Sequence, residues 1–329
     1  MKKFINVFLL AVILPAFIFT GCKDDTEPTP APKGNFETLK TYMVANDLDL
    51  PTLLASWVIA PTLTTDGGIV EPTTNTIPTY HVFDIRSAAD FQIGHVPGAI
   101  NVVLADVLTV AADYQDKPIL VVCYSGQTAG RAVMALRLSG FPDAKVMKFG
   151  MSYWNVEFDN WTVKIGDAAD GSPGWNSDAS ATLPVNDFPL WETTSTDGAE
   201  ILADAVTAML AMTWTTSSAD VLTTPGNYSI YNFWTNDDYL AFGHFDGALQ
   251  IKPISLADDI VKAFPTSAEF QVYCFTGQTS SFTVAWLQAL GYNAKSITYG
   301  ANSMVHTALD DAGKPAWHHS FDYVYETSK

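Results

Sequence analysis

Along the chain, short apolar runs alternate with amphipathic stretches, and the whole alternation occurs twice. The clearest single element is the continuous apolar run at 119–122, bounded by Pro118 and a polar loop, as in a strand buried on both faces. Around it the pattern predicts strands over 80–85, 99–103 and 145–149. Helices are predicted over 88–92, 104–112 and 129–139. The last carries Ala132, Val133, Leu136 and Leu138 on one broad face and stops at Gly140. Alternation at these lengths predicts an α/β fold with a central parallel sheet flanked by helices. Helical prefaces are expected at 36–57 and 199–214. The Gly-, Asp-, Ser-, Pro- and Trp-rich stretch 159–189 reads as an excursion between the two halves, whose Trp161 and Trp175, with Trp191 just beyond, are expected to pack across the domain interface.

The duplication is written in the residues themselves. Val121-Val122-Cys123-Tyr124-Ser125-Gly126-Gln127-Thr128 returns 151 positions later as Val272-Tyr273-Cys274-Phe275-Thr276-Gly277-Gln278-Thr279. Asp84 and Arg86 correspond to Asn232 and Trp234, and Gly94-His95-Val96-Pro97-Gly98-Ala99 to Gly243-His244-Phe245-Asp246-Gly247-Ala248. The strands that close the two repeats end at Gly150 and Gly300, and the tails at 187–193 and 322–327 match loosely. A length of 329 residues suits two domains, divided here at 36–194 and 195–329.

Composition narrows the functional classes. The chain is 48% hydrophobic and 16% charged, too apolar for a disordered protein. A net charge of −18 with no Lys/Arg cluster excludes a nucleic-acid partner. The N-terminus reads as a targeting segment: Met1-Lys2-Lys3 leads into an apolar run over 4–19, too short for a membrane span. The sequence Phe19-Thr20-Gly21-Cys22 resembles a bacterial lipobox, with Phe19 in place of the usual Leu. That resemblance implies a signal peptide over 1–21, lipidation of Cys22 and a membrane anchor. The Pro/Thr/Asp-rich stretch 22–35 reads as an extended tether, and Lys23-Asp24-Asp25 resembles an export signal of bacterial surface lipoproteins. Together these imply an outer-membrane lipoprotein, periplasmic or surface-facing.

Cys123 and Cys274 each stand at the end of an apolar run, ahead of a small polar loop and a helix. A nucleophilic thiol must ionise. At a reference pKa of ~8.5 only about 3% is thiolate at pH ~7, and a pKa of ~6.5 requires ~2.7 kcal/mol of preferential anion stabilisation. Neither loop contains Lys, Arg or His. The expected source is therefore a cradle of backbone N–H groups at a helix N-terminus, with hydroxyls from Ser125, Thr128, Thr276 and Thr279. Gly126 and Gly277 would permit the wrapped backbone.

Three motifs in order, Asp84-x-Arg86, Gly94-His95-x-Pro97-Gly98-Ala99 and the Cys123-x-x-Gly126 loop, resemble those of rhodanese (sulfurtransferase) domains over 79–155, with a second copy over 228–305. The resemblance implies two rhodanese-like domains and transfer of sulfane sulfur, from a donor such as thiosulfate to a thiol or cyanide, through a cysteine persulfide. It implies Cys123 first and Cys274 second as catalytic residues. Substrate contacts would come from Tyr124, Ser125, Gly126, Gln127, Thr128 and Arg86, and from Phe275, Thr276, Gly277, Gln278 and Thr279 in the second copy. Many family members carry Arg at the sixth loop position, where this chain has Thr128 and Thr279. Arg131 reads as a solvated helix arginine. His95 and His244 read as structural, His318 and His319 as surface residues, and no metal or cofactor is expected. Two alternatives remain: a Cys123–Cys274 thiol–disulfide pair, and a non-catalytic module that binds or senses sulfane sulfur or a thiol.

Overall fold

The computed structural model describes residues 36–190 and 193–328. Cys22, the signal peptide, the tether and Trp191 lie outside them. The first repeat builds a five-stranded, all-parallel sheet from β1 (Val58–Ile59), β2 (His81–Asp84), β3 (Ile100–Asn101), β4 (Ile119–Val122) and β5 (Lys145–Met147), in the order β1-β5-β4-β2-β3. A two-residue strand, β6 (Trp175–Asn176), follows in the excursion. The second repeat contributes β7 (Thr215–Thr216), β8 (Ile230–Asn232), β9 (His244–Phe245), β10 (Leu249–Gln250), β11 (Phe270–Tyr273) and β12 (Ala294–Ile297). Its sheet, β7-β12-β11-β8-β10, reproduces the first strand for strand. The fold is α/β, each repeat built on a central parallel sheet flanked by helices, as the alternation predicts.

The central strands β4 and β11 are buried at every position, which is why they read as unbroken apolar runs. Each feeds a helix, Gln127–Leu138 in the first repeat and Gln278–Ala289 in the second. In each helix a single residue escapes full burial, Thr128 in the first and Thr279 in the second. A helix buried all round has neighbours on every side. One side packs on its own sheet and the other on the opposite repeat's loop helix. A Cβ on Gly130 would lie 3.2 Å from Ser281 Oγ and 3.3 Å from Phe282 N, so glycine allows the two backbones to approach. Ser281 Oγ donates to the Gln127 carbonyl across this crossing. Arg131 is fully buried here, with Nη1 donating to Gln288 Oε1 at 2.7 Å and Nη2 to the carbonyls of Met209 and Met212. It is a clamp between repeats, which corrects its reading as a solvated helix residue. The apolar face of the helix gave no sign of a partner helix that would cover its polar side.

The two sequence halves are interleaved in space. Residues 321–328 lie on the first repeat: Phe321 and Tyr323 join its core, Trp154 Nε1 donates to the Val324 carbonyl, and His95 and Glu326 exchange backbone hydrogen bonds. In the opposite direction β6 pairs antiparallel with β9, and Asn186 N–H donates to the Lys262 carbonyl. Asp49, just past the first preface helix Phe36–Ala45, accepts from the backbone of Leu256 and Ala257. Trp161 packs between Phe149 and Tyr299, so it bridges the repeats, whereas Trp175 packs on Phe245 of the second. The histidines at 95 and 244 are buried against backbone carbonyls, of Phe91 and of Phe245 and Asp178 respectively. His318 and His319 are exposed.

At the crossing, the side chain of each loop glutamine enters the other repeat. Gln278 Oε1 accepts from Phe149 N–H at 2.9 Å, and Gln127 Oε1 accepts from Tyr299 N–H at 2.9 Å. Both glutamines are buried. A buried N–H left without its acceptor costs about 1–3 kcal/mol. Gln278→Ala is therefore expected to lower the thermal midpoint by several degrees in a calorimetric scan. An unchanged midpoint would contradict the assignment of this contact as a brace between repeats.

Candidate active site

Cys123 follows β4 directly, at the carboxyl end of the central strand, where parallel sheets place their ligand sites. The chain then turns through Gly126, whose φ of +80° and ψ of −5° make it a left-handed N-cap, and enters the helix. A side chain at Gly126 would also meet Gln278 Oε1 at 2.5 Å. The turn folds the loop back over its own thiol. Gly126 N–H donates to Cys123 Sγ at 3.2 Å and Ala129 N–H at 3.3 Å. Two aligned amides at a helix N-terminus form an anion cradle, as expected from the loop sequence.

The resting thiol is not depressed by this cradle. Burial pushes the Cys123 thiol above its ordinary value; the amides of Ala129, Ser125 and Gly126 pull against that, and the nearby Asp84 carboxylate adds a smaller upward push. The expected activated thiolate is corrected in this respect. The loop reads as an amide cradle from sequence, but the same folding that aims the amides also removes the sulfur from water, to 2% exposure.

The predicted substrate contacts fall into different places. Tyr124 is the exposed residue of the loop, and its hydroxyl donates to Asp90 Oδ2. Ser125 is buried; its hydroxyl accepts from Gln127 Nε2, and its carbonyl accepts from Trp161 Nε1 at 3.1 Å. Thr128 is half-buried at the first turn of the helix. Gln127 and Gln278 face the opposite repeat and are brace residues rather than substrate contacts. Arg86 is likewise committed elsewhere. It lies buried against Asp84, with Nε donating to Oδ1 at 3.0 Å and Nη2 to Oδ2 at 2.6 Å, and Nη2 also donates to the Gly94 carbonyl. Its guanidinium sits 5.9 Å from the Tyr124 ring centre and 5.3 Å from that of Phe158, so it supports the loop from beneath. The spacing Asp84-x-Arg86 gave the pair but not its burial.

The second loop keeps the backbone plan and changes the chemistry. Gly277 repeats the left-handed cap at φ +75° and ψ −13°. Ser280, in the place of Ala129, donates its N–H to Cys274 Sγ at 3.3 Å, and its hydroxyl accepts from the thiol at 3.6 Å. The Cys274 proton thus has an acceptor inside the site. Phe275 is half-buried, and Trp234 stacks on it at 4.6 Å, an aromatic in the position from which Arg86 supports Tyr124. Thr276 is buried, with its hydroxyl accepting from Gln278 N–H at 3.4 Å, and Thr279 is half-buried at the helix start. Both thiols are free.

Sequence reasoning missed Tyr299, and it gave Trp161 as an interface aromatic without its link to the loop. Trp161 ties the excursion to the Ser125 carbonyl, and the Tyr299 backbone hangs on Gln127. Only the position of Tyr299 just before Gly300, matching Phe149 before Gly150, marked it. Because the resting thiol is protonated at neutral pH, alkylation of Cys123 by iodoacetamide in a Cys274→Ser background should rise about tenfold per pH unit from pH ~7 to ~8.5. A rate already flat across that window would show an ionised thiol and contradict the balance of burial over amides.

Comparison with known proteins gives the family of the first repeat. A family profile described as Rhodanese-like domain matches residues 74–157. The thiosulfate sulfurtransferase GlpE of Pseudomonas savastanoi pv. phaseolicola is 33% identical over 84 residues, which cover 25% of this chain and 77% of that protein. Among solved structures, a rhodanese-related protein from Thermoplasma volcanium is similar at 24% identity, covering 25% of this chain and 80% of the other, with a TM-score of 0.23. A thiosulfate sulfurtransferase from Pseudomonas aeruginosa aligns over 86% of this chain and 48% of its own at 13% identity and a TM-score of 0.27. Through this domain the chain belongs to the rhodanese-like family.

Proposed function

We propose that the protein is a sulfurtransferase that carries sulfane sulfur on Cys123 as a persulfide. The observation that carries this reading is the pair of amides, from Gly126 and Ala129, converging on a buried Sγ with no charged side chain in the loop. Such a cradle suits a diffuse sulfur anion.

The reaction runs in two displacements. Cys123 loses its proton to solvent, and its thiolate attacks the outer sulfur of a donor such as thiosulfate. An S–S bond forms to Cys123, the donor's S–S bond breaks, and sulfite leaves with the electron pair. The loop amides hold the resulting persulfide. An acceptor thiolate or cyanide then attacks the outer sulfur, and the Cys123 thiolate departs with the bonding pair. No net electron transfer is required in either step.

The loops are unequal in this scheme. The hydrogen bonds to Cys123 Sγ come from backbone N–H donors, whereas Cys274 has the Ser280 hydroxyl as an acceptor for its proton. Cys123 is therefore the primary carrier and Cys274 the secondary one. Lipidation at Cys22, with the 22–35 tether, would hold the enzyme at an outer membrane; that part of the proposal rests on the sequence of the N-terminal segment alone.

Incubating the full chain with thiosulfate or polysulfide should add a single sulfur to Cys123 in the intact mass. Cyanide or a small thiol should remove it, and Cys123→Ser should abolish it while Cys274→Ser leaves it. Absence of any adduct on either cysteine with every donor would reject the reading.

A further inference from the structure

The cradle leaves one problem unsolved. Thiosulfate and similar donors are anions, and two arginines at the loop and its helix are engaged elsewhere: Arg86 by Asp84 and the Gly94 carbonyl, Arg131 by Gln288 and two carbonyls of the second repeat. The exposed Tyr124 hydroxyl is held by Asp90.

One further residue that carries a hydroxyl is held against this loop by the other repeat. Tyr299 has its backbone N–H fixed to Gln127 Oε1 at 2.9 Å. Its ring packs edge-on against Trp161, with centroids 4.9 Å apart, and Trp161 is itself hydrogen-bonded to the Ser125 carbonyl. Two separate contacts therefore hold Tyr299 against the Cys123 loop. The residue is only half-buried, and among the described residues no hydrogen bond engages its hydroxyl. The matching residue of the first repeat, Phe149, has no hydroxyl and is buried among Trp161, Tyr153 and Trp317. The Cys274 loop is offered no equivalent donor.

We propose that Tyr299 of the second repeat completes the Cys123 site, its phenol O–H holding the anionic group of the incoming sulfur donor. Burial first keeps the Tyr299 phenol above its ordinary value, and Cys123, when ionised, and Asp159 push the same way. It consequently stays protonated, and able to donate, throughout the neutral range. A donor bound there would extend its anionic end toward the phenol and its outer sulfur toward Sγ. The second repeat would thus contribute a specificity residue to the first, in addition to packing against it.

This inference deepens the sulfurtransferase reading, so its test includes a readout that does not depend on turnover. In the full chain with Cys274→Ser, Cys123 is alkylated with iodoacetate and separately with iodoacetamide. Iodoacetate places a carboxylate just beyond its reacting carbon, as thiosulfate places its sulfonate beyond the outer sulfur; iodoacetamide is neutral. Tyr299→Phe removes only a hydroxyl that bonds nothing, so the ring contacts and the fold are kept. The expected result is a lower iodoacetate rate with an unchanged iodoacetamide rate. For thiosulfate, kcat/KM should fall about tenfold or more, as for a lost hydrogen bond to a charged group, with most of the change in KM. An unchanged ratio of the two alkylation rates would overturn the assignment of Tyr299. If thiosulfate loads neither wild type nor variant, the sulfurtransferase reading fails for that donor, and the alkylation ratio still decides the phenol's role.

Discussion

The exchanged pair of glutamine amides is the contact on which the rest of this structure depends. Gln127 and Gln278 each belong to one thiol loop by sequence and to the other repeat by hydrogen bonding. The N–H groups they accept from, at Phe149 and Tyr299, belong to residues with φ near +60°, where the backbone turns after the closing strand of each repeat. Each turn in turn abuts its own loop: a Cβ on Gly150 would lie 2.3 Å from the Cys123 carbonyl, and one on Gly300 2.2 Å from that of Cys274. Loop, turn and opposite glutamine therefore form a closed ring of contacts around each cysteine. The shape of one cradle is set partly by the other repeat, which gives a physical reason for a tandem arrangement to keep both loops.

Symmetry of backbone does not give symmetry of chemistry. Both loops use a left-handed glycine to aim amides at sulfur, yet the residues around them have diverged. Asp84 and Arg86 form a buried ion pair under the first loop, where removing one partner would leave an uncompensated charge. The second repeat has Asn232 and the stacked Trp234 in those places. Ser280 stands where the first repeat has Ala129, and Tyr299 where it has Phe149. Each change moves polar hydrogen-bonding capacity relative to the thiol without moving the backbone. The half-buried Tyr299 is held against the first loop, and an internal proton acceptor is brought to the second.

The parts of the fold legible in the sequence are those whose causes are local. Ile119–Val122 reads as a strand because burial on both faces demands an unbroken apolar run, and Gly126 and Gly277 mark turns because of the φ they adopt. The cysteine positions and the amide cradle follow from those two features. What was not legible depends on distant partners. The apolar stripe of Gln127–Leu138 says that one face is buried but not that Arg131 on another face enters the second repeat. Gln127 in a loop reads as a substrate contact until its partner, 172 residues away, is seen. The net effect on the thiol also escaped, because the amides are local whereas the burial that outweighs them comes from the whole assembly.

The central claim is that the first thiol loop is held in shape by the second repeat. The alkylation rate of Cys123 by iodoacetamide in Gln278→Ala, measured in the Cys274→Ser background below the unfolding transition, tests it most directly. Gln278 is in the other repeat, so only mechanical coupling through Phe149 and Gly126 connects it to this rate. The account predicts a several-fold faster reaction, as the loosened loop admits reagent to the buried sulfur. A rate equal to that of the parent protein would show that the Cys123 cradle stands on its own and would contradict the account.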